Sequence, residues 1–363
     1  MKKILLLCLV CLPLFGMAQI ETSIAGFFPL EGSGRTVYNF NPGWRFHKGD
    51  VKGAEVVGFD DSSWQLVSTP HTVELMPAEG SGCRNYQGIA WYRKQFVVPA
   101  EMKGKDVTIH FEAAMGKQVV YLNGKQVLEH IGGYLPFNVN LTDLGVQAGD
   151  KCLLAVMVDN SDDKNYPPGK RQYTLDFTYH GGIYRDVWMI AKSFVGITDA
   201  IEEDKIAGGG VFVHFDKISE KSAEVYVNTE VKNKDKRTRT VTIETTLTDD
   251  QSSPVKKVSG KLTLKPGEAR TLTQKIIVRN PHLWSPESPY LYRVQSRIKS
   301  GSEALDGGVT RLGIRSFAFD AKQGFILNGK PYPVWILCWG RFRTVSRPWR
   351  SDCRKVCRMW ERF

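Results

Sequence analysis

EVYVNTEV, residues 224–231, sets Val225, Val227, Thr229 and Val231 against Glu224, Tyr226, Asn228 and Glu230. Successive side chains leave a strand on opposite sides, so this alternation predicts a strand with one face in a core. Val241, Ile243, Thr245 and Leu247 repeat the pattern, and KLTLKPGEART (261–271) reads as strand, turn and strand. About a hundred residues of such strands predict an immunoglobulin-like sandwich.

The same character extends towards the N-terminus. VVYLNGKQVL (119–128) is a hairpin, because Asn123-Gly124 is the preferred two-residue turn when both central residues take positive φ. VTIHFEA (107–113) alternates Val107, Ile109 and Phe111 with Thr108, His110 and Glu112, which places one face in a core. CLLAVMVDN (152–160) is a continuous apolar run of strand length, as expected where both faces are covered. From Thr36 to about Ser316 strand signals recur without a convincing amphipathic helix of ordinary length. GFILNGKPYPV (324–334) adds a small hairpin around Asn328-Gly329. The expected class is all-β.

The two ends differ from this body. Lys2 and Lys3 precede an apolar run, Ile4 to Phe15, too short to span a bilayer, and Gly16-Met17-Ala18 offers small residues before Gln19. This predicts a signal peptide over 1–18 and a soluble exported protein, periplasmic or secreted. Residues 335–363 hold four of the nine Trp, three of the seven Cys and seven Arg, with no period of 2 or 3.6. They read as an aberrant basic tail, translated out of frame or past the end of a gene segment. The net charge of +11 concentrates there. The rest of the body is only mildly basic, which argues against a nucleic-acid binder. Cys152 heads an apolar strand and is expected to be a buried thiol rather than a partner of Cys83. The seven histidines show no metal-ligand spacing, and no metal or cofactor is expected.

GGIYRDVW (181–188) resembles a hallmark of glycoside hydrolase family two, the group of β-galactosidases and β-glucuronidases. It closes an ordered series of similar pieces: NPGWRFHKGD (41–50), FDDSSWQLVSTPHTVEL (59–75), GIAWYRKQFVVP (88–99), YLNGKQVLEHIGGYLPFNVNLTDL (121–144) and VDNSDD (158–163). NPHLWSPESPYLYRV (280–294) and RLGIRSFAFDAKQGFILNGKPY (311–332) continue it. The resemblance implies a jelly-roll sugar-binding domain over 25–194, an immunoglobulin-like domain over 195–316 and the start of a (β/α)₈ barrel over 317–334. It also implies a retaining β-glycosidase, most like a β-galactosidase, in which two carboxyl groups about 5–5.5 Å apart act as acid/base and nucleophile. In the family both sit on the barrel, the acid/base in an Asn-Glu pair, and no Asn-Glu dipeptide occurs here. A barrel needs about 250 residues, so the chain is expected to lack the catalytic part and to be inactive by itself. No catalytic residue is assigned.

The resemblance points to Asp176, just before the glycine turn, as a carboxylate reaching towards a sugar hydroxyl or a sodium ion, with Asn85 and Tyr86 as further substrate contacts. Arg185 and Asp186 read as structural, and Gly181 and Gly182 as the makers of a tight turn. His71 reads as a satisfied structural histidine, and Asp162 and Asp163 as loop residues. Trp44, Trp64, Trp91, Tyr92, Trp188 and Trp284 read mostly as core. The expected partner is a β-linked oligosaccharide or glycan, and a homo-oligomer is common in the family. A stand-alone carbohydrate-binding module, or a truncated product without function, would suit the same residues.

Overall fold

The computed structural model describes residues 30–76, 85–165, 169–175 and 180–333. The expected signal segment, the basic tail, Cys83 and Asp176 lie outside the described residues. The chain divides into two compact units between Arg315 and Ser316.

The first unit begins with a sandwich of ten strands. In chain order these are β1 (Thr36–Asn39), β2 (Trp44–Lys48), β3 (Gln65–Val67), β4 (Ile89–Val97) and β5 (Asp106–Phe111). β6 (Lys117–Leu122), β7 (Lys125–Ile131), β8 (Phe137–Asn140), β9 (Lys151–Asp159) and β10 (Val187–Lys192) follow. One sheet runs β1-β10-β5-β8 and the other β3-β2-β4-β9-β6-β7, with every pairing antiparallel. Trp44, Tyr92, Ile109, Phe111, Leu154 and Val156 fill the space between them. The β6–β7 hairpin turns on Asn123 (φ 51°) and Gly124 (φ 82°), as its sequence requires.

Both faces of β9 are covered, as its apolar run predicts. Leu154, Val156 and Val158 face the main core, while Ala155 joins Ala54, Trp64 and Trp91 in a smaller cluster on the other side. The 51–64 segment forms that second cover. Arg93, fully buried, holds it down: Nε donates to Asp61 Oδ2 at 2.8 Å, and the guanidinium donates to the carbonyls of Ala54, Val56 (3.1 Å) and Phe59 (3.3 Å). β5 departs from expectation. Its polar face is also buried, because Trp188 Nε1 donates to Glu112 Oε1 at 2.9 Å and His110 Nδ1 pairs with Asn138 Oδ1 at 2.7 Å. Hydrogen bonding makes that polar burial tolerable.

The second sandwich starts at β11 (Val195–Ile197), followed by a four-residue helix α1 (Ala200–Glu203). Then come β12 (Val211–Asp216), β13 (Ser222–Asn233), β14 (Arg239–Thr248), β15 (Pro254–Leu264), β16 (Ala269–Arg279), β17 (Tyr292–Ser300) and β18 (Glu303–Leu312). β13 pairs with β11 and β12 along one edge and with β16 along the other, and the facing sheet runs β15-β14-β17-β18. Val225, Val227, Thr229 and Val231 are all buried, as are Val241, Ile243, Thr245 and Leu247. The alternation therefore reports the core face directly.

The segment preceding β1 straps the two sandwiches together. Arg35 Nε and Nη2 donate to the fully buried Asp306 at 2.7 and 3.0 Å, and Ile197 N donates to the same carboxylate at 2.8 Å. Gly34 lies so close to β18 that a Cβ there would stand 2.3 Å from Ala304 O. Lys234 adds a second bridge, from the β13–β14 turn to Asp106 at 3.1 Å and Asp143 at 3.0 Å. Burial works against ionising Asp306, but the Arg35 charge and its hydrogen bonds outweigh it and hold the carboxyl below 3.8, its ordinary value. Since the unfolded chain takes up this proton first as pH falls, the stabilisation is complete above that value and is lost as pH drops through the lower folded one. Asp306→Asn should cost about 1.5–3 kcal/mol near neutral pH. Urea melts should show the gap between parent and variant narrowing in acid; a constant gap would mean the charge contributes nothing.

The second unit is described from Ser316 to 333. β19 (Phe317–Asp320), β20 (Gly324–Leu327) and β21 (Lys330–Pro331) form a small antiparallel sheet in that order. Asn328 (φ 51°) and Gly329 (φ 76°) make the expected turn. Among the described residues there is no (β/α)₈ barrel, and no helix is long and apolar enough to cross a membrane.

Candidate functional site

The loops at one end of the first sandwich carry the residues singled out by sequence, and buried amides organise them. Asn160, at the end of β9, accepts from Gly88 N at 3.2 Å and donates from Nδ2 to Tyr86 O at 2.6 Å. Gln172 Oε1 accepts from Asn85 N at 2.8 Å and from Gln87 Nε2 at 3.3 Å. Gln172 N in turn donates to Asp162 Oδ1 at 3.0 Å. Both amide side chains are almost completely buried. They tie the 85–88, 159–162 and 172 segments into one block.

Asn85 is itself buried within this block. Tyr86 is half-buried; its hydroxyl donates to Ile89 O at 2.9 Å, and Lys48 Nζ lies 4.7 Å from its ring centroid. Lys48 also pairs with Glu74. The structure thus brings Asn85 and Tyr86 together with Lys48 and Glu74 at one rim. Asp162 serves the loop through its bond to Gln172, and Asp163 accepts from Asn165 N at 2.8 Å.

The glycine pair fixes the adjoining turn by close approach rather than by flexibility alone. A Cβ on Gly181 would fall 2.3 Å from Asn160 Nδ2. Gly182 has φ 102°, and a Cβ there would fall 2.4 Å from the Tyr92 hydroxyl and 2.9 Å from His71 O. His71 N donates to Ile183 O at 2.8 Å and Val73 N to Gly181 O at 2.9 Å. His71 Nδ1 shares a 2.8 Å hydrogen bond with the Tyr92 hydroxyl. Burial pushes the His71 imidazole below its ordinary value and the Tyr92 phenol above its own, so both are neutral at pH 7. Asp186 Oδ1 accepts from Asn41 Nδ2 at 2.7 Å, and Asn41 Oδ1 accepts from Val187 N at 2.7 Å. His71 and Asp186 accordingly have the structural roles read from sequence.

Sequence reasoning missed Asn160 and Gln172. Asn160 carried a signal, since it lies inside VDNSDD. Gln172 carried none: a glutamine in a polar loop looks exposed. The assembled rim offers fixed donors, acceptors and an aromatic ring, which suits holding a polar ligand. Among the described residues, no group of three or more His, Cys, Asp or Glu side chains could hold a metal ion.

Comparison with known proteins places both sandwiches in one family. Residues 54–193 match the sugar binding domain of glycosyl hydrolases family 2, and residues 205–315 match a further domain of glycosyl hydrolases family 2. The chain belongs to glycosyl hydrolase family 2, of which it carries the N-terminal domains. It is similar to a β-glucuronidase of Formosa agariphila, 32% identical over 83% of this chain and 32% of the relative. A β-galactosidase of Thermoanaerobacter pseudethanolicus is also 32% identical, over 82% of this chain and 38% of the relative. Among solved structures, Bacteroides uniformis β-glucuronidase 2 superposes with a TM-score of 0.71 at 32% identity, covering 82% of this chain and 34% of that one. The chain thus spans about a third of the length of the curated relatives it matches.

Proposed function

We propose that these domains are the carbohydrate-positioning part of an exported β-glycosidase that cleaves terminal β-linked galactosides or glucuronides with retention. The observation that carries this reading is the ordered match of both sandwiches to family 2, with the Gly181–Gly182 turn and its buried amide supports intact. Tyr86, Asn85 and Asp176 are the residues proposed to contact sugar. The described residues contain strands and a rim of hydrogen-bonding groups, and among them no closed barrel presents two facing carboxylates.

Residues 19–363, purified, are therefore expected to give no turnover of aryl β-galactosides or aryl β-glucuronides above background. Sustained turnover that survives repurification would place an active site within these domains and overturn the reading. A stand-alone carbohydrate-binding module is the second reading, favoured by the match of 54–193 to a sugar binding domain. Retention on a glycan array that Tyr86→Ala weakens would support a sugar-contacting rim in either case.

A further inference from the structure

A cleft of about 480 Å³ opens where the two sandwiches meet, well within the range of small-molecule sites. Leu128, His130 and Asn138 of the first sandwich line it, opposite Phe194, Ile201 and Glu202 of the second. Most charged groups around it are already engaged. Lys234 pairs with Asp106 and Asp143, and Lys232 with Glu203 at 3.1 Å. Lys192 Nζ donates to Ile197 O at 2.6 Å, and Asp199 Oδ1 accepts from Ile201 N at 2.8 Å.

Three polar groups remain. Glu202 N donates to Asp199 Oδ1 at 3.3 Å, but its carboxylate makes no hydrogen bond or ion pair among the described residues. Partial desolvation and the neighbouring Asp199 raise its carboxyl above the usual carboxylate range, while the residue itself stays exposed on α1. His130 Nε2 and Asn138 Nδ2 have no hydrogen-bond partner. The His130 ring is stacked on Phe137 at 4.8 Å, and burial keeps it neutral. Both atoms are buried although their residues are half-buried, so a ligand reaches them only when the side chain turns, which costs Asn138 its bond to His110 and His130 its stacking on Phe137. An unmade bond at such an atom is costly, and a ligand that completes it recovers that cost.

We propose that this cleft binds a small neutral sugar, at a site separate from the loop rim and without a part in bond cleavage. An anionic ligand is disfavoured, because five lining carboxylates face three lysines. The remaining groups include a carboxylate that accepts, an amide that donates and an imidazole nitrogen that does either. Hydroxyls both give and take hydrogen bonds and so satisfy all three. Leu128, Phe194 and Ile201 offer the apolar surface that a sugar's C–H face needs.

The site is read by binding alone, so it stands or falls independently of glycosidase activity. The full chain is titrated with methyl β-galactoside, methyl β-glucoside and methyl β-glucuronide, followed by saturation-transfer NMR and by the His130 ring resonances. A neutral glycoside is expected to bind saturably and shift His130. Glu202→Ala should weaken it about tenfold, and Ile201→Trp should abolish it by filling the cleft. Ile201 and Glu202 are both exposed on α1, so these variants are expected to fold; matching circular dichroism melts check this. No saturable binding of either neutral glycoside, a preference for the glucuronide, or binding that persists in both cleft variants would overturn the proposal.

Discussion

Arg93→Met lowers the stability of the first sandwich by about 3–5 kcal/mol, the expected loss when one member of a buried ion pair is removed. The guanidinium lies against the paired rings of Phe59 and Trp64, its centre 5.3 and 6.0 Å from their ring centroids, and serves one carboxylate and three backbone carbonyls. Methionine fills part of the volume but leaves Asp61 and those carbonyls without their donor. Arg93→Lys should recover little, because a single ammonium on a flexible stem cannot reproduce a planar fork of donors. Urea melts followed by tryptophan fluorescence check this directly, since Trp64 and Trp91 sit in the cluster that the loop covers. A shift under about 1 kcal/mol, the scale of an exposed pair, would mean that the 51–64 segment stays seated without its arginine.

Gly182→Ala should cost about 3–5 kcal/mol through positive φ and overpacking together. The new methyl cannot avoid both the Tyr92 hydroxyl and His71 O, and the second of these is backbone. Tyr92→Phe in the same chain should relieve only the first collision and so recover part of the loss. Thermal melts of the single and double variants separate these contributions. A Gly182→Ala melt indistinguishable from that of the parent would show that the turn can move aside.

The second sandwich was legible in sequence because β13 and β14 alternate buried core residues with more exposed ones along most of their length. β5 was harder, because a face built of Thr108, His110 and Glu112 looks solvated until Trp188 and Asn138 are brought beside it. The Arg93 network was illegible for the same reason. Its acceptors are mostly carbonyls, which no side-chain pattern reports. At the candidate rim, Asn85 and Tyr86 were proposed through resemblance, while Gln172 is defined only by folding across 87 residues of chain to reach Asn85. The cleft between the sandwiches has walls from distant parts of the chain, so composition and period carry no trace of it.

The strap from Arg35 to Asp306 joins positions 271 residues apart. A polypeptide made from its amino end exposes Arg35 long before its carboxylate mate exists. Until residue 306 has been made, Arg35 must therefore wait without its partner, while the hairpins of the first sandwich can already close. The clasp can close only after β18 has been made, and until then the two β domains are joined by the chain between them and by contacts such as those of Lys234.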